Sequence, residues 1–210
     1  MSYRNYRIVS DLTNNRYNSK GASLVTTETT AATAFAIDPA HSSAEFAVKH
    51  MMIATVRGRF RDLEGAIHLD DADPTRSSVE ASIDAASVNT DVDMRDNHLR
   101  SEDFLAVERF PRILFRSTAV EPQRDDDRWL VHGDLTIRGV THPVTLDAEL
   151  EGRGTGFEGE DRVGFTAHTT LSRKDFGLEY NQALETGGMV VGDKVKVTLH
   201  IEAARPVKAA

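Results

Sequence analysis

The chain has 210 residues, 40% hydrophobic and 28% charged, enough apolar material for one sizeable core and enough charge for a wet exterior. Acidic side chains outnumber basic ones 33 to 25 for a formal net charge of -8, and no basic block interrupts that balance, which argues against nonspecific binding to nucleic acid or anionic lipid surfaces. Cysteine is absent, removing disulfides, thiolate zinc sites and cysteine nucleophiles, and no window approaches the roughly 20 apolar residues of a membrane-spanning helix.

Met1 to Thr33 carries no sustained hydrophobic period, and Thr26 to Thr33 is a low-complexity Thr/Ala stretch. Residues 1–33 are therefore expected to form a disordered extension ahead of one domain over 34–206. The arm lacks the apolar stretch and small-residue cleavage site of a secretory signal, so a cytoplasmic protein is expected. The ordered pattern begins soon after Val25, which suggests a misread GTG start and leaves the translation of residues 1–24 in question.

From Ala36 onward every second residue is apolar, the period of a strand with one wet face. Ala44, Phe46 and Val48 alternate with Glu45 and Lys49; Val56, Gly58 and Phe60 alternate with Arg57 and Arg59; the pattern returns at Leu63 to Leu69 and Val79 to Ala85. Ile113 to Val120 reads as a strand whose faces do not separate. Four more follow at Trp129 to Ile137, Val144 to Leu150, Val163 to Leu171 and Val195 to Ile201, with turn residues at Asp73-Pro74, Glu121-Pro122, Gly139, Gly152 to Gly159, Gly187-Gly188 and Gly192-Asp193.

One segment breaks this rhythm. Asn89 to Ala106 reads as a short helical insert, with Thr90 or Asp91 as an N-cap and Ser101 capping a further turn, and it would place Leu99, Phe104 and Leu105 over one end of the sheet. One-sided strands must bury their apolar faces together, in a sandwich or a closed barrel. Gly58, Gly65 and Gly133 fall on the apolar faces, where they either leave space inside or permit curvature and close approach. The outward residues include Arg57, Arg59, Glu80, Asp84, Asp147, Glu149, Lys194 and Lys196, the opposite polarity to an outer-membrane barrel.

Particular segments carry more than the period does. They are DPAHSSAEFAVKHM from Asp38 to Met51, VRGRF from Val56, RDNHLRSEDF from Arg95 to Phe104, FPRILF from Phe110, GDLTIRGVT from Gly133 and SRKDFG from Ser172. In this order, over Ile37 to Ala203, the chain resembles the YceI-like polyisoprenoid-binding family. The resemblance implies an all-β, extended eight-stranded antiparallel barrel, lipocalin-like, whose apolar pore holds a polyisoprenoid or fatty-chain lipid for storage or transport. Many members of that family are exported.

Within that expectation Phe46, Val48, Phe60, Phe115, Leu135 and Phe165 are the candidate pore wall, against plain core packing. Phe104, Phe110 and Phe176 stand beside loops as candidate gates. Arg95 and His98 are candidate contacts for a polar head, although Arg95 with Asp96, Arg138, and Arg173 with Asp175 are as readily structural ties. The histidines are scattered without metal-ligand spacing, and Ser42, Ser43 and Ser172 lack a nucleophile elbow, so neither a metal, a cofactor nor catalytic residues are expected. A lipid-processing enzyme using His98 or His50 as a base, and a filled-barrel stress-response or interaction protein, are the competing readings. A prenyl tail gains about 0.8 kcal/mol per buried methylene before ordering costs, consistent with roughly micromolar to nanomolar affinity. The chain is compatible with a homodimer.

Overall fold

The alternating segments form eleven strands in a computed structural model that describes residues 32–125, 127–183 and 189–205. The expectations for the N-terminal arm, for the Val25 start and for the Gly187-Gly188 turn concern residues outside this range, apart from Ala32 and Thr33. In chain order the strands are β1 (Thr33–Ile37), β2 (Ser43–His50), β3 (Ala54–Phe60), β4 (Leu63–Leu69), β5 (Ser78–Asp84), β6 (Val88–Asn89), β7 (Arg112–Pro122), β8 (Arg128–Ile137), β9 (Val140–Thr155), β10 (Asp161–Ser172) and β11 (Val191–Arg205). Among the described residues a single α-helix, α1 (Asp93–Arg100), lies between β6 and β7.

Three strands are interrupted, so the eleven occupy eight positions around a closed, wholly antiparallel barrel. β11 pairs with β1 at one end, through Ala36↔Ala204, and with β2 along the rest, from Val195↔Val48 to His200↔Ser43. β1 pairs in turn with β4 and β2 with β3, while β4 pairs with β5 and β3 with β6. From β5 the sheet continues through β7, β8, β9 and β10 back to β11. Closure removes the free edges that an open sheet would leave unpaired.

Two bulges explain where the reading of faces fails. In β7 the register shifts between Ser117 and Ala119; Ile113 and Phe115 face inward at odd positions and Val120 at an even one, which no single period of two describes. In β9 the pairing steps from Leu150↔Phe165 to Gly152↔Gly164, leaving Glu151 unpaired. The inward series Val144, Leu146, Ala148 and Leu150 then continues at Arg153. The glycine-rich run from Gly152, expected as a turn, stays in the strand as far as Thr155.

Apolar side chains meet in three clusters. At one end Ala85, Val88, Phe104, Leu105, Ile113, Phe176 and Leu178 form a plug, with Leu99 and Tyr180 packed against it. Phe35, Ile37, Leu63, Ile67, Val163 and Ala203 make a second group, which includes the strand β1 that sequence reading did not separate. Val120, Val131, Ala148 and Ala167 make the third.

The insert is shorter than expected and is capped differently. The N-cap of α1 is Val92, with no side-chain cap bond. Thr90 instead donates its N–H (2.9 Å) and its hydroxyl (2.5 Å) to Asp96 Oδ1, so the acid of the first turn reaches back to hold the chain entering the helix. Ser101 closes α1 and accepts the N–H of Asp103 at 3.3 Å.

Candidate functional site

A cavity of about 400 Å³ runs inside the barrel, within the range of pockets that enclose small molecules. Its wall is apolar because inward positions of every long strand contribute to it: Phe46, Phe60, Phe115, Leu135, Leu146, Phe165, Leu171 and Leu199 among others. Along β9 the lining extends from Val144 to Arg153. At about 3.3 Å per residue and a tilt of about 40° this corresponds to roughly 20 Å along the axis. The space is elongated rather than round.

The two ends differ chemically. At the end of α1 the plug closes the barrel, and Phe46, Phe60, Leu135, Ile137, Val144 and Leu171 both pack against it and line the cavity. At the other end, polar residues join the lining: Asp70, Asp71, Ser77 and Arg153. Arg153 donates to Asp71 Oδ1 at 2.6 Å, bridging β9 to the β4–β5 turn, and this ion pair holds the Asp71 carboxyl below its ordinary pKa. Asp70 is buried; it accepts the N–H groups of Ala72 and Asp73 and pairs with Arg76 at 2.7 Å. The mouth is therefore a polar rim on a greasy sleeve.

Five of the candidate pore residues, Phe46, Phe60, Phe115, Leu135 and Phe165, lie on the cavity wall. Val48 does not; it sits further toward the plugged end, paired with Val56 and Val195. The three candidate gates also lie off the wall. Phe104 and Phe176 are buried in the plug, and Phe110 packs over Gly139, where a Cβ would come within 2.7 Å of its ring, with the Arg109 guanidinium 5.0 Å from the ring centre.

Nor do the proposed head contacts reach the cavity. Arg95 donates to Thr90 Oγ1 (2.7 Å) and Thr90 O (2.9 Å). His98 pairs with Asp103 at 2.8 Å and stacks edge-on with Phe104 and Tyr180. Both serve the plug. The structural reading holds for Arg138, which donates to Gly177 O and Glu102 O, each at 2.8 Å. Arg173 is buried and donates to the carbonyls of Gly192, Leu178 and Tyr180. Its carboxylate partner is Asp193 rather than the neighbouring Asp175, and burial lowers its pKa.

Sequence reading missed the rim entirely, because Arg153 turns inward only through the β9 bulge. It also missed a cluster formed across the barrel closure. Asp38, His41 and Glu202 bring their ligand atoms together, but Arg162 already occupies the cluster, bonding Asp38 at 2.9 Å, Glu160 at 2.7 Å and Glu202. A guanidinium in that place satisfies the carboxylates that a cation would need.

The glycines on the inner face do not leave voids. A Cβ on Gly58 would meet Phe46 and, at 2.7 Å, Thr90 Cγ2; one on Gly133 would lie 2.5 Å from Phe115 Cζ. Each glycine seats an aromatic ring against bare backbone, and Gly65 likewise gives way to the backbone of Glu80 and Ala81.

The model of the YceI-like domain matches residues 35–203. The chain belongs to the YceI-like family. A UPF0312 protein of Staphylococcus aureus is 39% identical over 165 residues, covering 78% of this chain and 93% of the relative. Among solved structures, the YCEI protein of Campylobacter jejuni is similar at a TM-score of 0.65 with 31% identity, over 76% of this chain and 90% of that one. BcnA of Burkholderia cenocepacia reaches a TM-score of 0.70 at 23% identity over 80% and 99%. A polyisoprenoid binding domain from Saccharophagus degradans, implicated in plant cell wall breakdown, reaches 0.61 at 16% over 82% and 98%. The last two share the fold with this YceI-like chain.

Proposed function

We propose that this YceI-like barrel stores or carries a long-chain isoprenoid or similar amphiphilic lipid, with the apolar tail inside the barrel and the polar head at the Arg153–Asp71 rim. The observation that carries this reading is the one-ended polarity of the cavity: a wall that is apolar from the plug outward, Glu45 and Thr169 apart, with Asp70, Asp71 and Arg153 gathered at the mouth. An amphiphile has the same asymmetry, and burying its methylenes at about 0.8 kcal/mol each offsets the cost of ordering the tail. The fold shared with a polyisoprenoid binding domain supports an isoprenoid tail.

A binding role fits better than a catalytic one. His50 and His98, the bases that a lipid-processing enzyme would call on, are absent from the cavity wall. The test is organic extraction of the purified protein followed by mass spectrometry, with uptake of a fluorescent prenyl lipid as a second readout. An intact prenyl or fatty-chain lipid near one per chain is expected. Altered products would turn the reading to an enzyme, and an empty protein that takes up no prenyl probe would sink it.

A further inference from the structure

The outer wall of the barrel is not uniform in charge. On β4, β5, β7, β8 and β9, basic side chains pair with acids: Arg112 reaches across β5 to Glu64, while Arg116 with Glu80 at 3.2 Å and Arg128 with Asp147 at 2.7 Å pair between neighbouring strands. The face made by β11, β2 and β3 is different. Lys196, Ala47 and Arg57 stand in one register row, with Lys194, Lys49 and Arg59 on the same outward alternation. Lys49, Arg57, Arg59, Lys194 and Lys196 are exposed, and none has an ion-pair partner among the described residues. Glu45, opposite Arg59, is the acid in these rows.

This face ends in an apolar tip. The β2–β3 turn is closed by the Ile53 N–H on His50 O at 3.2 Å, with Met51 and Met52 at φ 50 and φ 62. That left-handed pair is the geometry of a type I′ turn, which Asn-Gly forms readily and two methionines do not. Met52 is 68% exposed and Ile53 82%. Met51 bonds through its N–H to Val190 O at 2.8 Å, beside Met189, itself 52% exposed.

We infer that the β11–β2–β3 face, with the Met51–Ile53 turn at its tip, docks this protein on an anionic lipid surface. A protein of net charge -8 would be repelled by such a surface as a whole. Within a Debye length the local field counts instead, and five unpaired cations on one face supply the attraction while methionine and isoleucine side chains enter the headgroup layer. Nucleic acid offers the cations a partner but gives the apolar tip nothing to enter. The opposite end carries the polar rim of Asp70, Asp71 and Arg153, so docking by the tip holds the mouth in water. The inference does not depend on what fills the cavity.

Because the chain lacks cysteine, Met52→Cys and, at the far end, Phe157→Cys each give a single site for a polarity-sensitive dye in the full chain. With vesicles of phosphatidylcholine and phosphatidylglycerol, the label at 52 is expected to shift to the blue and the label at 157 to stay in water. Sedimentation of the unlabelled protein with these vesicles should exceed that with pure phosphatidylcholine and weaken with added salt. Arg57→Gln with Lys196→Gln should lower partition by roughly tenfold to thirtyfold with an unchanged unfolding midpoint. Equal partition onto both vesicle types, a shift at 157 instead of 52, or duplex DNA bound in place of vesicles overturns the proposal.

Discussion

The ring of Phe46 lies directly over Gly58 across the β2–β3 pair, so that a Cβ at 58 would come within 2.9 Å of Phe46 Cε1 and 2.7 Å of Thr90 Cγ2. This contact fixes the cavity wall where it meets the plug, because Phe46 also packs on Phe60 with ring centres 5.7 Å apart. Gly58→Ala is expected to destabilise the fold by about 1–3 kcal/mol through overpacking, read from chemical unfolding. Adding Phe46→Leu should restore part of that loss; strictly additive effects would show that the two do not compete for the same space.

Filling the sleeve separates binding from folding. Ala167 lines the cavity on β10, and Ala167→Phe places a ring in space otherwise open to a tail. Uptake of a prenyl probe should fall at least tenfold while the unfolding free energy falls by no more than about 1–3 kcal/mol. Full uptake by a stable Ala167→Phe protein would mean that the tail lies elsewhere.

The plug depends on a buried acid. Asp96 is 2% exposed and receives both donors of Thr90, so Asp96→Ala leaves a buried N–H and hydroxyl without an acceptor. A loss of about 2–3 kcal/mol is expected, with faster amide exchange across α1 than in β8 or β9. A change below about 0.5 kcal/mol would remove this pair from the account of how the insert is held.

Acid should act through the barrel closure. The hydrogen bond from His41, and then that from Arg162, depress the pKa of Asp38 to about 2. Since the folded value lies below the unfolded one of about 3.9, the stabilisation is complete above the unfolded value and is lost as pH falls toward about 2. Asp38→Asn is therefore expected to flatten the stability profile between about pH 4 and pH 2. An acid limb as steep as that of the unaltered protein would count against this assignment.

How far the sequence carries can be followed residue by residue. Alternation from Ala44 to Ile201 is a local consequence of the two-residue strand period, so the β class, the wet exterior and most strand positions follow from it. The inward placement of Phe60 or Phe165 follows in the same way. Alternation stops being informative wherever a bulge changes parity, as at Ser117–Ala119 and Glu151, and there the faces of β7 and the inward turn of Arg153 are lost to sequence reading.

By itself, then, the chain determined a one-sided antiparallel sheet, a helical interruption and membership of a family, since each depends on residues close together along the backbone. Tertiary structure decided which end is sealed and which is open, that Arg95 and His98 serve the plug, and that Arg153 and Asp71 form the rim. It also gathered Lys49, Arg57 and Lys196 onto one face of a chain with no basic block. These are properties of register and closure, set by pairings between strands far apart in sequence, and a local pattern carries no record of which distant strand it will meet.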